Sequence, residues 1–176
     1  MKCLGIIDMQ NDFVNPKGSL YVPGAEKVRL EIEDLFFRGD FAHRFNTMDR
    51  HNGEEAEMKA NGGPFPLHCM YGTWGEDLIY PSNKITASFS KRCYNVFDGY
   101  HGNPYIRMWL KQNYISRVVL CGVVGNICVE ACALGLRKLC IDVDIVNDAV
   151  VWLHVDDNNN EEVSRKKLLD AGVKFI

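Results

Sequence analysis

The stretch VVLCGVVGNICVEACALGL, from Val118 to Leu136, decides how the chain folds. Val118, Val119 and Leu120 form an apolar run without alternation, which suits a parallel strand covered on both faces. Gly122 and Gly125 free the backbone to turn, and Ile127 through Leu136 then reads as a helix. A strand that turns directly into a helix is the unit of a parallel α/β sheet. Cys128 stands at that turn. A thiol at a helix N-terminus feels the positive end of the helix dipole, which favours thiolate, the nucleophilic form. The position equally suits a buried structural cysteine, and the rest of the chain must decide between the two.

Working outward, the same alternation recurs. Cys3 to Ile7 reads as a strand ending in Asp8, and Glu26 to Phe37 as a helix with Val28, Ile32, Leu35 and Phe36 at helical spacing. Phe41 to Thr47 reads as a second strand, closely followed by Asp49. A Gly- and Pro-containing loop runs from His51 to about Gly75, a length that is usually functional or disordered in a compact domain. Lys84 to Ser90 reads as a strand ending at Lys91, Asn103 to Gln112 as a helix, and Ile141 to Val146 as a strand followed by Asp148. Glu161 to Ala171 is the last helix, stopped by Gly172, and Val173 to Ile176 a closing strand. The expected fold is a single-domain three-layer α/β/α structure over residues 1–176, with a mostly parallel central sheet.

Composition narrows the function classes. The 176 residues are 47% hydrophobic and 24% charged, ordinary for a globular domain with a proper core. A net charge of -3 gives no basic footprint for nucleic acid. No apolar run approaches the roughly 18 residues of a membrane span. Met1-Lys2-Cys3-Leu4 enters a strand at once, leaving no room for a signal peptide. Seven cysteines, an odd number without CxxC spacing, point to a reducing, cytoplasmic setting with mostly buried thiols.

In open α/β sheets, ligands bind at the carboxyl ends of the strands. Asp8, Asp49, Lys91 and Cys128 all fall at or just past such ends. A carboxylate, an ammonium and a thiol in one cleft make a nucleophilic site. Asp8 can take the thiol proton as general base, while Lys91 lowers the thiol pKa and holds the carboxylate. Taken singly, Asp8 could cap a loop and Lys91 could be a solvated surface lysine. A second constellation is Asp49 and His51, two residues apart on an extended segment, joined later by His68. One carboxylate and two imidazoles suit Zn²⁺, Fe²⁺ or Mn²⁺, with coordination positions left for water or substrate.

Together these segments resemble the nicotinamidase/isochorismatase-like cysteine hydrolase superfamily along nearly the whole chain. IIDMQNDFVNPKGSLYVPGAEKV is similar to the family's opening, MDRH to its Asp-x-His metal motif, and HCMYGTWGEDL to its histidine-bearing stretch. KRCYNVFDG, with Tyr94 and Phe97, resembles the lysine segment, and CGVVGNICVEACALGL the nucleophile segment. The resemblance implies a catalytic triad of Asp8, Lys91 and Cys128 and a divalent metal, zinc foremost, with iron or manganese as alternatives, on Asp49, His51 and His68. It implies a cis bond at Val123–Val124, with the Val124 and Cys128 amides facing a developing oxyanion. It also implies that Phe13 and Phe65 line the pocket for a substrate ring.

The chain departs from the family pattern where Thr-Asp usually precedes the nucleophile. Here the pair is Gly125-Asn126, which retains hydrogen bonding without the charge, and Ile127 replaces a polar or aromatic residue. Some relatives carry a further histidine in the loop after the metal motif. Glu54, Glu55 or Glu57 could supply an oxygen there, or none of them. The implied activity is hydrolysis of nicotinamide to nicotinate and ammonia through a cysteine thioester, with the pyridine nitrogen on the metal. The alternatives are a related hydrolase acting on another small amide, a carbamoyl compound or isochorismate, and a non-catalytic metal or thiol sensor on the same fold. The expected partner is a small-molecule amide, with neither nucleic acid nor membrane involved, and the chain could form a homo-oligomer.

Overall fold

Each apolar run becomes a strand, and the helices between them carry the chain back across the sheet. The computed structural model describes residues 1–176, apart from the side chains of Arg38 and Ser82. Strand β1 (Lys2–Ile7) is followed by a short helix α1 (Asn11–Val14), helix α2 (Ala25–Arg38) and strand β2 (His43–Asp49). After a long connection come β3 (Ala87–Lys91), α3 (Tyr105–Gln112) and β4 (Arg117–Gly122). A π-helical turn (Gly125–Val129) leads into α4 (Glu130–Lys138), then β5 (Asp142–Val150), α5 (Glu161–Asp170) and β6 (Lys174–Phe175). The strands form one sheet in the order β3-β2-β1-β4-β5-β6, and every pairing is parallel.

Successive side chains point to opposite faces of a strand, so one apolar run feeds two layers. Val118 and Leu120 join Ile7, Phe45 and Val143 under α3 and α4, where Ile106, Leu110, Ala133 and Leu136 are buried. Val119 and Cys121 join Leu4 and Ile6 under α2, where Ala25, Ile32 and Phe36 are buried. Gly5 allows close packing between strands, since a Cβ there would lie 2.6 Å from Cζ of Phe45. Among the described residues, no helix is long and apolar enough to cross a membrane.

Several boundaries differ from the sequence reading. The strand expected over Lys84 to Ser90 is β3, Ala87–Lys91, and Lys84 belongs to a 3₁₀ turn (Ser82–Lys84). Asp49 and Lys91 are therefore the last residues of their strands and pair directly in the β2–β3 register. Asp148 lies inside β5, which runs on past Val146 to pair Val150 with Gly122 after an irregularity. The closing strand is two residues long. The helix expected from Ile127 begins as the π turn, with α4 proper starting at Glu130. Gly172 does end the last helix, with φ +80.

The His51–Gly75 connection, open between function and disorder in the sequence, is held by specific bonds. The buried Asp12 carboxylate accepts the Ser19 amide at 2.8 Å and the Cys69 amide at 2.7 Å. Gln10 donates to the carbonyls of Asp49 (2.7 Å) and Glu76 (2.9 Å) and accepts from the Asp49 amide (2.7 Å). The His51 amide donates to Cys69, and Tyr71 donates back to His51, at 3.0 and 2.9 Å.

Candidate active site

The strand order reverses between β1 and β4, and such a switch point opens a crevice at the strand ends. Ile7 pairs with Thr47 on one side and Gly122 on the other, so Asp8 leaves the sheet at the middle of that crevice. Gly122 adopts φ +119, and a Cβ there would sit 2.1 Å from the Ile7 carbonyl oxygen, so only glycine lets β4 close against β1 at this level. The Val123–Val124 peptide that follows is cis, and the π turn then presents Cys128.

The three residues expected to form a nucleophilic site meet here. Asp8 is 1% exposed, Lys91 3% and Cys128 8%, so Lys91 is not the solvated surface lysine it could have been. The Lys91 ammonium lies 2.7 Å from Oδ2 of Asp8 and 3.5 Å from Sγ of Cys128, and it also pairs with Oδ1 of Asp49. The Thr47 hydroxyl donates to Oδ1 of Asp8 at 2.7 Å. One ammonium thus serves two carboxylates and faces the thiol.

Burial and charge set the protonation states. Burial opposes the charge of Lys91, but Asp49, Asp8 and Cys128 outweigh it and hold the ammonium well above the usual lysine range. Burial also works to raise Asp49, yet Lys91 and His51 bring it down to about 2. Asp8 goes the other way: burial raises it above the ordinary aspartate range against the pull of Lys91. Burial pushes the Cys128 thiol well above its usual value, and Asp8 and Asp49 add to the rise while Lys91 opposes it. The helix terminus and Lys91 favour the thiolate, while burial and the two carboxylates oppose it.

Asp49, His51 and His68 also converge, with one ligand-type atom of each within 4.8 Å of the others. The His68 Nδ1–H donates to the Pro66 carbonyl at 2.8 Å, which leaves the Nε2 lone pair available. Both ring nitrogens of His51 are buried without a hydrogen-bond partner. Asp49 and Glu57 carboxylates lie 3.8 and 3.4 Å from its Nε2, and Glu55 lies 3.6 Å from its Nδ1. Buried polar atoms without partners are costly, and a divalent cation among these carboxylates and imidazoles would satisfy them. The donor set of two imidazoles and hard oxygens fits such an ion. Of the three loop glutamates, Glu55 also accepts the Asn52 and Gly53 amides and Glu54 the Asn52 side chain, while Glu57 faces His51 Nε2 on the side of Asp49.

A cavity of about 110 Å³ joins the two constellations, walled by Phe13, Phe65, Tyr94, Val124, Ile127 and Leu153, with Asp8, Asp49, His68 and Cys128 also lining it. The Phe13 and Phe65 rings flank His68 at centroid distances of 5.6 and 6.0 Å. Its walls are mainly apolar and its polar groups few, the usual make-up of a small-molecule site.

The sequence model of the Isochorismatase domain matches residues 2–168. The chain belongs to the isochorismatase-domain family. Among family members, the nicotinamidase/pyrazinamidase of Mycobacterium tuberculosis is 32% identical to it over 146 residues, covering 76% of this chain and 77% of the relative. PnC1 from L. infantum, solved in complex with nicotinate, matches with TM-score 0.91 and 29% identity over 100% of this chain and 92% of its own. Pyrazinamidase of Pyrococcus horikoshii, solved in complex with zinc, matches with TM-score 0.87 and 28% identity over 99% and 98%.

Two residues that organise the isochorismatase-domain site were not singled out from the sequence: Gln10, which clamps Asp49, and Asp12, which seats Cys69 next to His68. Their signal was present as two polar side chains directly after a buried strand. Their partners at Asp49, Cys69 and Glu76 lie 39 to 66 residues away, and no local pattern reports that.

Proposed function

We propose that the chain is a nicotinamidase, hydrolysing nicotinamide to nicotinate and ammonia. The observation that carries this reading is the meeting of Cys128, Asp8 and Lys91 with the Asp49–His51–His68 group across one small, aromatic-walled cavity. A thiol nucleophile attacks the carboxamide carbon, and the neighbouring group suits a ring that carries a basic nitrogen. The names and ligands of the relatives support the same substrate class.

Each step follows from the residues. Asp8, made more basic by burial, takes the Cys128 proton as sulfur bonds to the carboxamide carbon. The Val124 and Cys128 amides face the carbonyl oxygen as it gains charge; one such donor is typically worth about 2.7–4 kcal/mol of barrier. Asp8 returns the proton to the amide nitrogen, the C–N bond breaks and ammonia leaves. Asp8 then takes a proton from water, whose oxygen attacks the thioester, and hands it back to the sulfur as nicotinate departs. Lys91 stays charged throughout and keeps Asp8 and Asp49 from repelling each other. Asp49, His51 and His68, with Glu57 facing them, would hold a divalent metal, zinc first, that supplies a Lewis-acidic site for the pyridine nitrogen. Phe13 and Phe65 hold the ring. A cytoplasmic setting fits the five buried thiols.

The deciding experiment is ammonia release from nicotinamide by the purified protein, before and after chelation and readdition of zinc, iron or manganese. Release that disappears with chelation and returns with metal is the expected result. Folded protein that releases no ammonia under any metal would overturn the substrate assignment.

A further inference from the structure

Asn126 lies two residues before Cys128, inside the π turn, and is 5% exposed. Both ends of its amide are in use. Its Oδ1 accepts the Leu153 amide at 3.0 Å, and its Nδ2 donates to Oδ1 of Asn159 at 2.6 Å. The neighbouring Gly125 adds a second tie, donating to the Val151 carbonyl at 2.7 Å. Gly125 also lies against the Trp152 ring, 2.5 Å from where a Cβ would be. The Asn159 carbonyl in turn accepts the Val155 amide at 2.9 Å, and Asn160 caps α5. The segment from Val151 to Asn160 is thus fastened to the nucleophile turn, and Leu153 on that segment walls the cavity.

We propose that Asn126 is a positioning residue that sets the fit of the substrate ring through Leu153. It touches no reacting atom. An amide suits this place because it accepts and donates at once, whereas a carboxylate only accepts. The identity of the ring rests on the nicotinamidase reading, but the clamp itself does not.

The test is site-resolved alkylation of Cys128, read by peptide mass spectrometry, with iodoacetamide and with the ring-bearing N-phenylmaleimide. Asn126→Ala, Leu153→Ala and the double variant are compared with the wild type. Asn126→Ala is expected to leave the iodoacetamide rate within about twofold and to change the N-phenylmaleimide rate about tenfold. Leu153→Ala should do the same, and the double variant should add nothing further, as residues acting as one unit do. With nicotinamide, Asn126→Ala should raise KM about tenfold and lower kcat by less than about threefold. Equal loss with both reagents, or additive effects in the double variant, overturns the proposal. If Asn126→Ala does not fold, Asn159→Ala cuts the outer half of the clamp, and an unchanged reagent ratio there overturns it too. Alkylation needs no turnover, so a shifted reagent ratio without nicotinamide hydrolysis supports the clamp and counts against the substrate alone.

Discussion

At the scale of single residues, one ammonium pairs with two carboxylates and faces the thiol, whose ionisation burial opposes. Cys128→Ala should therefore keep the fold and abolish turnover, which circular dichroism and ammonia release measure together; substantial residual release would remove Cys128 from the nucleophile role. Lys91→Ala removes the ammonium that lies between Asp8 and Asp49. Breaking a buried pair in this way typically costs about 3–5 kcal/mol. It should also raise the thiol pKa further, seen as Cys128 alkylation moving to higher pH, and an unchanged alkylation profile would count against Lys91 in that role. Asp8 gives the opposite sign in stability. Its pKa is raised by folding, so its contribution is fully present below the ordinary aspartate value and is lost as pH rises through the raised one. Asp8→Asn is thus expected to end activity while melting at the same or a higher temperature than the metal-free wild type, with the gap widening as pH rises. A gap that narrows with rising pH would show that burial does not dominate at Asp8.

At the scale of elements, the strands and helices were legible because each core-facing run lies in contiguous sequence. Val118 to Leu120 and Leu4 to Ile7 need no distant information to be read as buried strands. The ends were less legible. β5 runs on to Val150 because Gly122 pairs with it there, a tertiary choice absent from Ile141–Val146 itself. The burial of Cys128 was illegible for a similar reason, since a helix terminus is visible in sequence and the depth at which it lies is not. The turn between β4 and the π helix yields a stability prediction. Gly122→Ala places a Cβ against the Ile7 backbone at positive φ and should destabilise by at least about 1–3 kcal/mol in urea unfolding. At Gly62, also at positive φ, a Cβ would meet nothing within 4 Å. Alanine there should cost only about 1 kcal/mol, and equal losses at the two sites would refute the close-approach argument.

At the scale of the whole molecule, the metal-type group ties the end of β2 to a loop residue 17 or more positions further on. A cation held there binds the folded chain and not the unfolded one. Metal at about 100 times its dissociation constant should add about 2.7 kcal/mol, so chelation should lower the melting temperature. His68→Ala should abolish that response; a variant that still gains stability from zinc would place the ion elsewhere. The loop itself was the least legible part of the fold, because its order comes from Gln10 and Asp12, side chains of the first strand's exit that reach across the crevice.

The sheet order has a consequence for how the site comes into being during synthesis. Asp8, Asp49, His51, His68 and Lys91 all precede Cys128 in the chain, and β4 slots in beside β1 at the centre of the sheet. When the ribosome delivers the thiol, the carboxylates and the ammonium that face it have already been made. Cys128 is the last of these reacting groups to be synthesised, and the Leu153 wall of the cavity follows it.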